Sequence, residues 1–327
     1  MGNGGFKSLQ FDLWQECNNG CSFCFLCDEN KKTENDIKVQ NLKKVFDIIS
    51  DESNYQTYQA IGFLGGEFFQ GQLDDVEVHT QFFNVMRKTA DLYNCGMVKQ
   101  VWIPATLTIG HQRDLYDTLD LFDSWDNVWV ITSWDTVGRF KTQKMLSNWD
   151  HHVKNLHKRY PGIKINITTI LTTDFIQKYL NNEISLKRMA AEYNASLYFK
   201  HSIIILNKAS EDTIEAQMQS KILSNKLVEG FFPKRSLFLK FLVEFRHRES
   251  SDMWERLFGV RYRSDKLYRF LNDGSIQLIE RYKDKKADVS DSVVSDCGHP
   301  MVYRAYIDSD ACVMCDKQKI EQSYLCM

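Results

Sequence analysis

Between residues 8 and 206 the chain alternates, six times over, a short β-rich run with a stretch whose apolar residues recur every three or four positions. The β-rich runs are SLQFDLW (8–14), YQAIGFLGGEFF (58–69), VKQVWIPATLTIG (98–110), NVWVITSWD (127–135), KINITTILT (164–172) and SLYFKHSIIIL (196–206). Helical patterns fill the gaps, among them 38–53, 75–93, 111–125, 142–160 and 174–193. Such alternation predicts an α/β fold with a parallel sheet and right-handed crossovers, because hairpins would need short turns where these helices lie. Several runs read as apolar on both faces, the mark of buried parallel strands. Sheets of this kind carry their chemistry at the C-terminal ends of the strands. Three unlike motifs lie there: a cysteine packet after the first strand, LGGE after the second and TSWD after the fourth.

The nine cysteines of the 327 residues fall into two packets, one near each end, with Cys95 alone between them. An odd count in a large chain without a charged-then-apolar leader argues against a disulfide framework and for metal or cluster ligation. Cys95, in YNCGM, is expected to be a packing residue. In the first packet Cys17, Cys21 and Cys24 stand at C-x3-C-x2-C on a loop between strand and helix. Three thiolates cannot saturate a four-iron four-sulfur cluster, which takes four ligands, so one iron stays open to a chelating small molecule. Zinc loops share the bare spacing. Cys27 follows at a further C-x2-C interval and is expected to be a free thiol, since a fourth protein ligand would close the open corner.

CNNGCSFC resembles the signature of the radical S-adenosylmethionine superfamily, C-x3-C-x-aromatic-C, with Phe23 as the aromatic at the cluster rim. Gly65, Gly66 and Glu67 resemble that family's GGE motif. The resemblance implies close backbone approach to the cofactor at the two glycines and a Glu67 carboxylate for the methionyl ammonium. Ser133 and Asp135 in SWD resemble the Ser-x-Asp of the branch with extra C-terminal domains, so that Ser133 would bind the methionyl carboxylate or ribose. The nearest counterpart of that branch's following arginine is Arg139. Asn166 in KIN resembles a cofactor-facing strand residue of the molybdenum-cofactor cyclase and its relatives. The implied fold is a partial (β/α)6 TIM-type barrel over 1–206. The implied activity is reductive cleavage of S-adenosylmethionine to a 5′-deoxyadenosyl radical, which takes a hydrogen from a substrate held in the barrel.

Beyond residue 207 a charged helical bridge (207–262) leads to KLYRFLNDGSIQLIERY (266–282), which reads as a hairpin around Asn-Asp-Gly. With the cysteines that follow it predicts a small α+β metal-binding extension over 263–327. Cys297, Cys312, Cys315 and Cys326 resemble the SPASM and twitch extensions of radical S-adenosylmethionine enzymes and would close an auxiliary 4Fe–4S cluster. Cys297, His299, Cys312 and Cys315 would instead make a zinc site. The cluster gives Cys326 a purpose that zinc does not.

Forty-one Lys and Arg against forty-three Asp and Glu, a net charge of −2, give no strong nucleic-acid signal. The basic runs at 232–236 and 245–250 read as solvated helix faces. No apolar run approaches bilayer length, which with the absent leader predicts a soluble cytoplasmic protein. With the cysteine loop starting by residue 17, no preceding peptide-recognition module is expected, so a peptide substrate would need a separate leader-binding partner. The expected partners are a small-molecule, nucleotide or peptide substrate and an electron donor such as flavodoxin or ferredoxin. FDLWQECNNGCSFC also resembles phage and bacterial members of the superfamily, which points towards nucleotide or nucleic-acid modification. Two alternatives stand beside this reading: a radical core with a structural zinc tail acting on nucleotide or nucleic acid, and a non-enzymatic metal-binding scaffold.

Overall fold

A computed structural model describes residues 7–14, 16–21, 33–201, 235–250, 253, 266–270 and 274–280. Six parallel strands run through it: β1 (Ser8–Asp12), β2 (Ala60–Leu64), β3 (Gln100–Pro104), β4 (Val128–Ser133), β5 (Lys164–Leu171) and β6 (Ala195–His201). Between them lie α1 (Asn35–Ser50), α2 (Glu52–Thr57), α3 (Val76–Asn94), α4 (Arg113–Leu119), α5 (Gln143–Arg159), α6 (Thr173–Leu180) and α7 (Leu186–Glu192). Polar residues written just before the helices start them. Asp75, Thr142, Thr172 and Ser185 each accept a hydrogen bond from a first-turn backbone N–H. The stretch expected as one helix over 174–193 is two, because Asn182 takes a left-handed φ of 63° between α6 and α7.

Within the sheet these six strands stand in the order 6-5-4-3-2-1, so each of the six lies beside its neighbour in sequence. A doubly wound sheet reverses direction at a switch point; this one does not. Right-handed crossovers that all step the same way place the helices on one face. The side chains agree. Across the sheet, Ile103, Val130, Ile165 and Ala195 form one row and Thr132, Ile167 and Leu197 the next. With Leu9, Phe11, Ile61 and Phe63 they join one core with Leu42, Phe82, Met86, Trp149, Val153 and Phe175 from the helices. Trp149 donates its indole N–H to Thr132 Oγ1 at 3.0 Å, which seats α5 on this face.

The opposite face corrects the expectation of strands apolar on both sides. Its rows run Gln10, Gly62, Trp102, Trp129, Lys164 and then Pro104, Ile131, Asn166, Ser196, with Ser8, Asp12, Gln100, Ser133 and Thr168 around them. Polar side chains here are buried all the same: Gln10 is 5% exposed and Asn166 0%. Buried polar groups need partners. With its amide turned to suit, Gln100 Oε1 accepts both indole N–H groups, from Trp102 at 3.1 Å and Trp129 at 2.8 Å. Gly62 makes room for the Trp102 ring, since a Cβ there would lie 2.5 Å from ring atom Cε3. Gly62→Ala should therefore cost about 1–3 kcal/mol in urea unfolding, by overpacking.

Past the sixth strand, α8 (Arg235–Arg248) lays Phe241 and Phe245 against Tyr179 of α6, with ring centroids 5.3 and 5.8 Å away. Its closing Arg248 is not simply solvated: it donates to Tyr179 O and Asn182 Oδ1 and pairs with Glu244 at 2.9 Å. The expected hairpin forms from β7 (Lys266–Phe270) and β8 (Ile276–Glu280), antiparallel to each other. β7 also pairs in parallel with β1, so the hairpin extends the sheet, and Lys44 of α1 holds its turn through Gly274 O at 3.2 Å. Among the described residues, no helix is long and apolar enough to cross a membrane.

Candidate functional site at the strand C-termini

Parallel strands bring their C-terminal ends to one edge, and there the cysteine loop is joined to the Gly-Gly-Glu turn by backbone. Leu13 N donates to Leu64 O, Gly66 N to Trp14 O at 2.9 Å and Glu67 N to Glu16 O at 2.8 Å. The Trp14 indole returns a bond to Glu67 O at 2.8 Å. Cys17 thus follows directly on a segment stitched to the turn after β2. Asn18 Nδ2 continues the seam to Gln70 O at 2.8 Å.

Gly65 has a local duty within the chain itself. Gly65 sits at φ 141°, and a Cβ on it would lie 2.5 Å from Trp14 O, the same oxygen that receives Gly66 N–H. It is the chain's own backbone that comes close. Glu67 is 2% exposed, and its carboxylate is taken up by protein donors. Oε1 accepts from Phe68 N and Phe69 N at 2.9 Å each and Oε2 from Thr106 N at 2.6 Å, with the Thr106 hydroxyl adding a further bond. A carboxylate offers about four lone-pair sites. Those of Glu67 tie the end of β2 to the segment after β3.

Burial pushes the Glu67 carboxyl above its ordinary value, against the opposing pull of the Thr106 hydroxyl and the three amides. Between the ordinary 4.5 and that raised value the native chain binds more protons than the unfolded one, so stability falls as pH rises through this window. Glu67→Gln should remove that slope. It should also destabilise by about 2 kcal/mol, because the new NH2 must face backbone N–H donors. Urea unfolding between pH 4 and pH 7 reads both effects.

Asp135 does for the next strands what Glu67 does here. It is 3% exposed, accepts Ile170 N–H at 2.6 Å and Thr169 Oγ1 at 3.5 Å, and holds Arg139 Nε at 2.5 Å. From that anchor Arg139 Nη1 reaches Cys21 Sγ at 3.6 Å. Cys21 is buried, and Asn19 Nδ2 donates to the same sulfur at 3.1 Å. Thr108 donates to Asn19 Oδ1 at 2.7 Å, and Gln70 Nε2 bonds both Thr106 and Thr108. Three loops, after β1, β3 and β4, therefore close around one thiol.

Of the residues expected to act, Gly66 and Glu67 are bonded to Trp14 and Glu16, just before Cys17, and Arg139, held by Asp135, reaches Cys21. Ser133 lies half-buried at the mouth end of β4, while Asn166, opposite Ile131, lies two residues deeper on the polar face. Cys95 is exposed at the C-cap of α3 with Sγ 3.4 Å from Leu92 O, so it is not the packing residue expected. Phe23, Cys24 and Cys27, and likewise Cys297, His299, Cys312, Cys315 and Cys326, lie outside the described residues. Among the described residues no group of three or more His, Cys, Asp or Glu is placed to hold a metal ion.

Sequence reasoning passed over Asn19, Thr106, Thr108 and the pair Lys38–Glu16. The last is an ion pair of 2.7 Å with Lys38 2% exposed and 5.5 Å over the Trp14 ring, which fixes α1 against the start of the cysteine loop. Their only trace in sequence is polarity inside otherwise apolar or loop segments. Beside Asp135 a cavity of about 340 Å³ opens, walled by Trp134, Phe140, Lys141, Lys178 and Ile184 among others. Compared with known proteins, the chain matches no family model and no curated sequence.

Proposed function

We propose that the chain is a radical S-adenosylmethionine enzyme with a partial-barrel core, its cysteine loop carrying a 4Fe–4S cluster at the mouth. The observation that supports it most is the seam between the Trp14–Cys17 segment and the Gly65–Glu67 turn, which puts the two motifs side by side at the strand C-termini. The donor set fits the group: Cys21 sulfur faces the N–H donors of Asn19 and Arg139, which suit a metal-bound thiolate. Cys17 and Cys21, with Cys24, would hold the cluster, which supplies reductive cleavage of S-adenosylmethionine when loaded.

The chain's own residues then position and exclude. Glu67 ties the loops after β2 and β3, and Asp135 ties the loop after β4 to the end of β5, so the mouth keeps its shape. Backbone groups of the Gly65–Glu67 turn, rather than its spent carboxylate, are left to meet the methionyl ammonium. Ser133 and, two residues deeper, Asn166 lie on the polar face. That face, buried and lined by amides, hydroxyls and two indoles, suits a polar substrate shielded from water: a small molecule, a nucleotide or a peptide side chain. The C-terminal cysteines would hold a second cluster or zinc, and a flavodoxin or ferredoxin would deliver the electron.

Anaerobic purification followed by iron, zinc and sulfide counting, then dithionite with S-adenosylmethionine, tests this. Roughly four irons and four sulfides at the first site, with 5′-deoxyadenosine released, is the expected result. Zinc at both ends without that product would establish the scaffold instead.

A further inference from the structure

We propose that Arg139 and Asn19 are positioning residues that hold N–H donors on the Cys21 sulfur and so set the reduction potential of the cluster on the cysteine loop. This rests on the reading above and adds what tunes that site. Both donors are fixed from behind. Asn19 is 1% exposed, and Thr108 Oγ1 occupies its carbonyl at 2.7 Å, which leaves Nδ2 facing Cys21 Sγ at 3.1 Å. Asp135, its side chain 0% exposed, grips Arg139 Nε at 2.5 Å, so the guanidinium presents Nη1 to the same sulfur at 3.6 Å. Asp135 is itself held by Ile170 N–H at 2.6 Å and cannot swing away. A second cation approaches the same loop, since a Cβ on Gly20 would meet Lys141 Nζ.

Hydrogen bonds to a ligating sulfur, and positive charge beside it, favour the more electron-rich state. The reduction the loop must support is a single electron from an external donor of the flavodoxin or ferredoxin class, with no bond made or broken. Each donor therefore raises the potential, Arg139 the more because it carries a charge in a largely buried place. A purely structural role for the Asp135–Arg139 pair would leave the potential where it was.

The test is an anaerobic potentiometric titration of the reconstituted full chain, followed by electron paramagnetic resonance, with iron counted on every sample. At the potential that half-reduces the wild type, Arg139→Met should hold about tenfold fewer reduced than oxidised clusters, about 59 mV lower for a one-electron couple. Asn19→Ala should shift in the same direction by less, and Arg139→Lys, which keeps the charge but cannot bridge Asp135 and Cys21 together, should fall between. If Arg139→Met does not fold, the other two variants decide. Full iron with unchanged midpoints in the folded variants overturns this inference and leaves the proposed function standing; a wild type that assembles no cluster overturns both.

Discussion

Cys21→Ala should empty the first site while leaving the fold intact: bound iron falls more than tenfold, and 5′-deoxyadenosine formation more than a hundredfold. Loss of an outer partner of a metal ligand typically costs about 10–100-fold, so loss of the ligand itself must exceed it. The substitution removes one buried sulfur and its contacts with Asn19 and Arg139. It does not touch the seam between Trp14 and Gly66, which carries the architecture of the mouth. Circular dichroism and the urea midpoint should therefore change little while iron and product vanish together. Cys95→Ala is the matched control. Its sulfur is exposed at the end of α3, far along the chain from the site, and iron and product should both remain.

Gly65→Ala should be the most destabilising single methyl in the described residues. Two faults coincide: a φ of 141°, which a side chain rarely adopts, and a Cβ 2.5 Å from the Trp14 carbonyl oxygen and 3.3 Å from the Phe68 ring. Backbone strain of this kind costs about 1–3 kcal/mol, and forced overpacking about as much again. A backbone oxygen cannot rotate away as a side chain might, and this one is also the acceptor for Gly66 N–H. A loss of about 3–5 kcal/mol, read from the urea midpoint, is the expected outcome. Gly96→Ala separates the two faults: it has φ 80° but nothing within 4 Å of the added Cβ, so about 1–2 kcal/mol is expected. Equal costs at the two positions would show that the contact with Trp14 O is not what excludes a side chain at Gly65.

The α/β order was legible because the period of apolar residues switches between two and three-to-four along the chain, and only a parallel sheet with crossovers accommodates that. What sequence did not show was the difference between the faces. In SLQFD the alternation Ser8, Gln10, Asp12 against Leu9, Phe11 is plain once the register is known, but in AIGFL the inner residues Ala60, Gly62 and Leu64 look as apolar as the outer ones. Gly62 belongs to the polar face only through the indole of Trp102 that rests on it.

At the site, the motif positions could be read and their local work could not. GGE looks like a ligand-binding turn, yet Gly65 answers to Trp14 O, and Glu67 spends its carboxylate on Phe68, Phe69 and Thr106, a partner 39 residues further along the chain. The same holds for Asp135 and Arg139: the sequence suggests only a Ser-x-Asp motif and a following arginine, whereas the structure makes them a buried bridge from β5 to the cysteine loop. Contacts of such sequence separation have no periodic signature.

The central claim is that the cysteine loop leaves one iron open beside the Gly-Gly-Glu turn. Electron paramagnetic resonance of the dithionite-reduced chain, recorded without and with S-adenosylmethionine, addresses it directly. The predicted result is a reduced-cubane signal whose shape changes when S-adenosylmethionine is added, in wild type but not in Cys21→Ala, where no such signal remains. A cubane signal indifferent to S-adenosylmethionine, or the absence of any cubane from the reconstituted wild type, would contradict it.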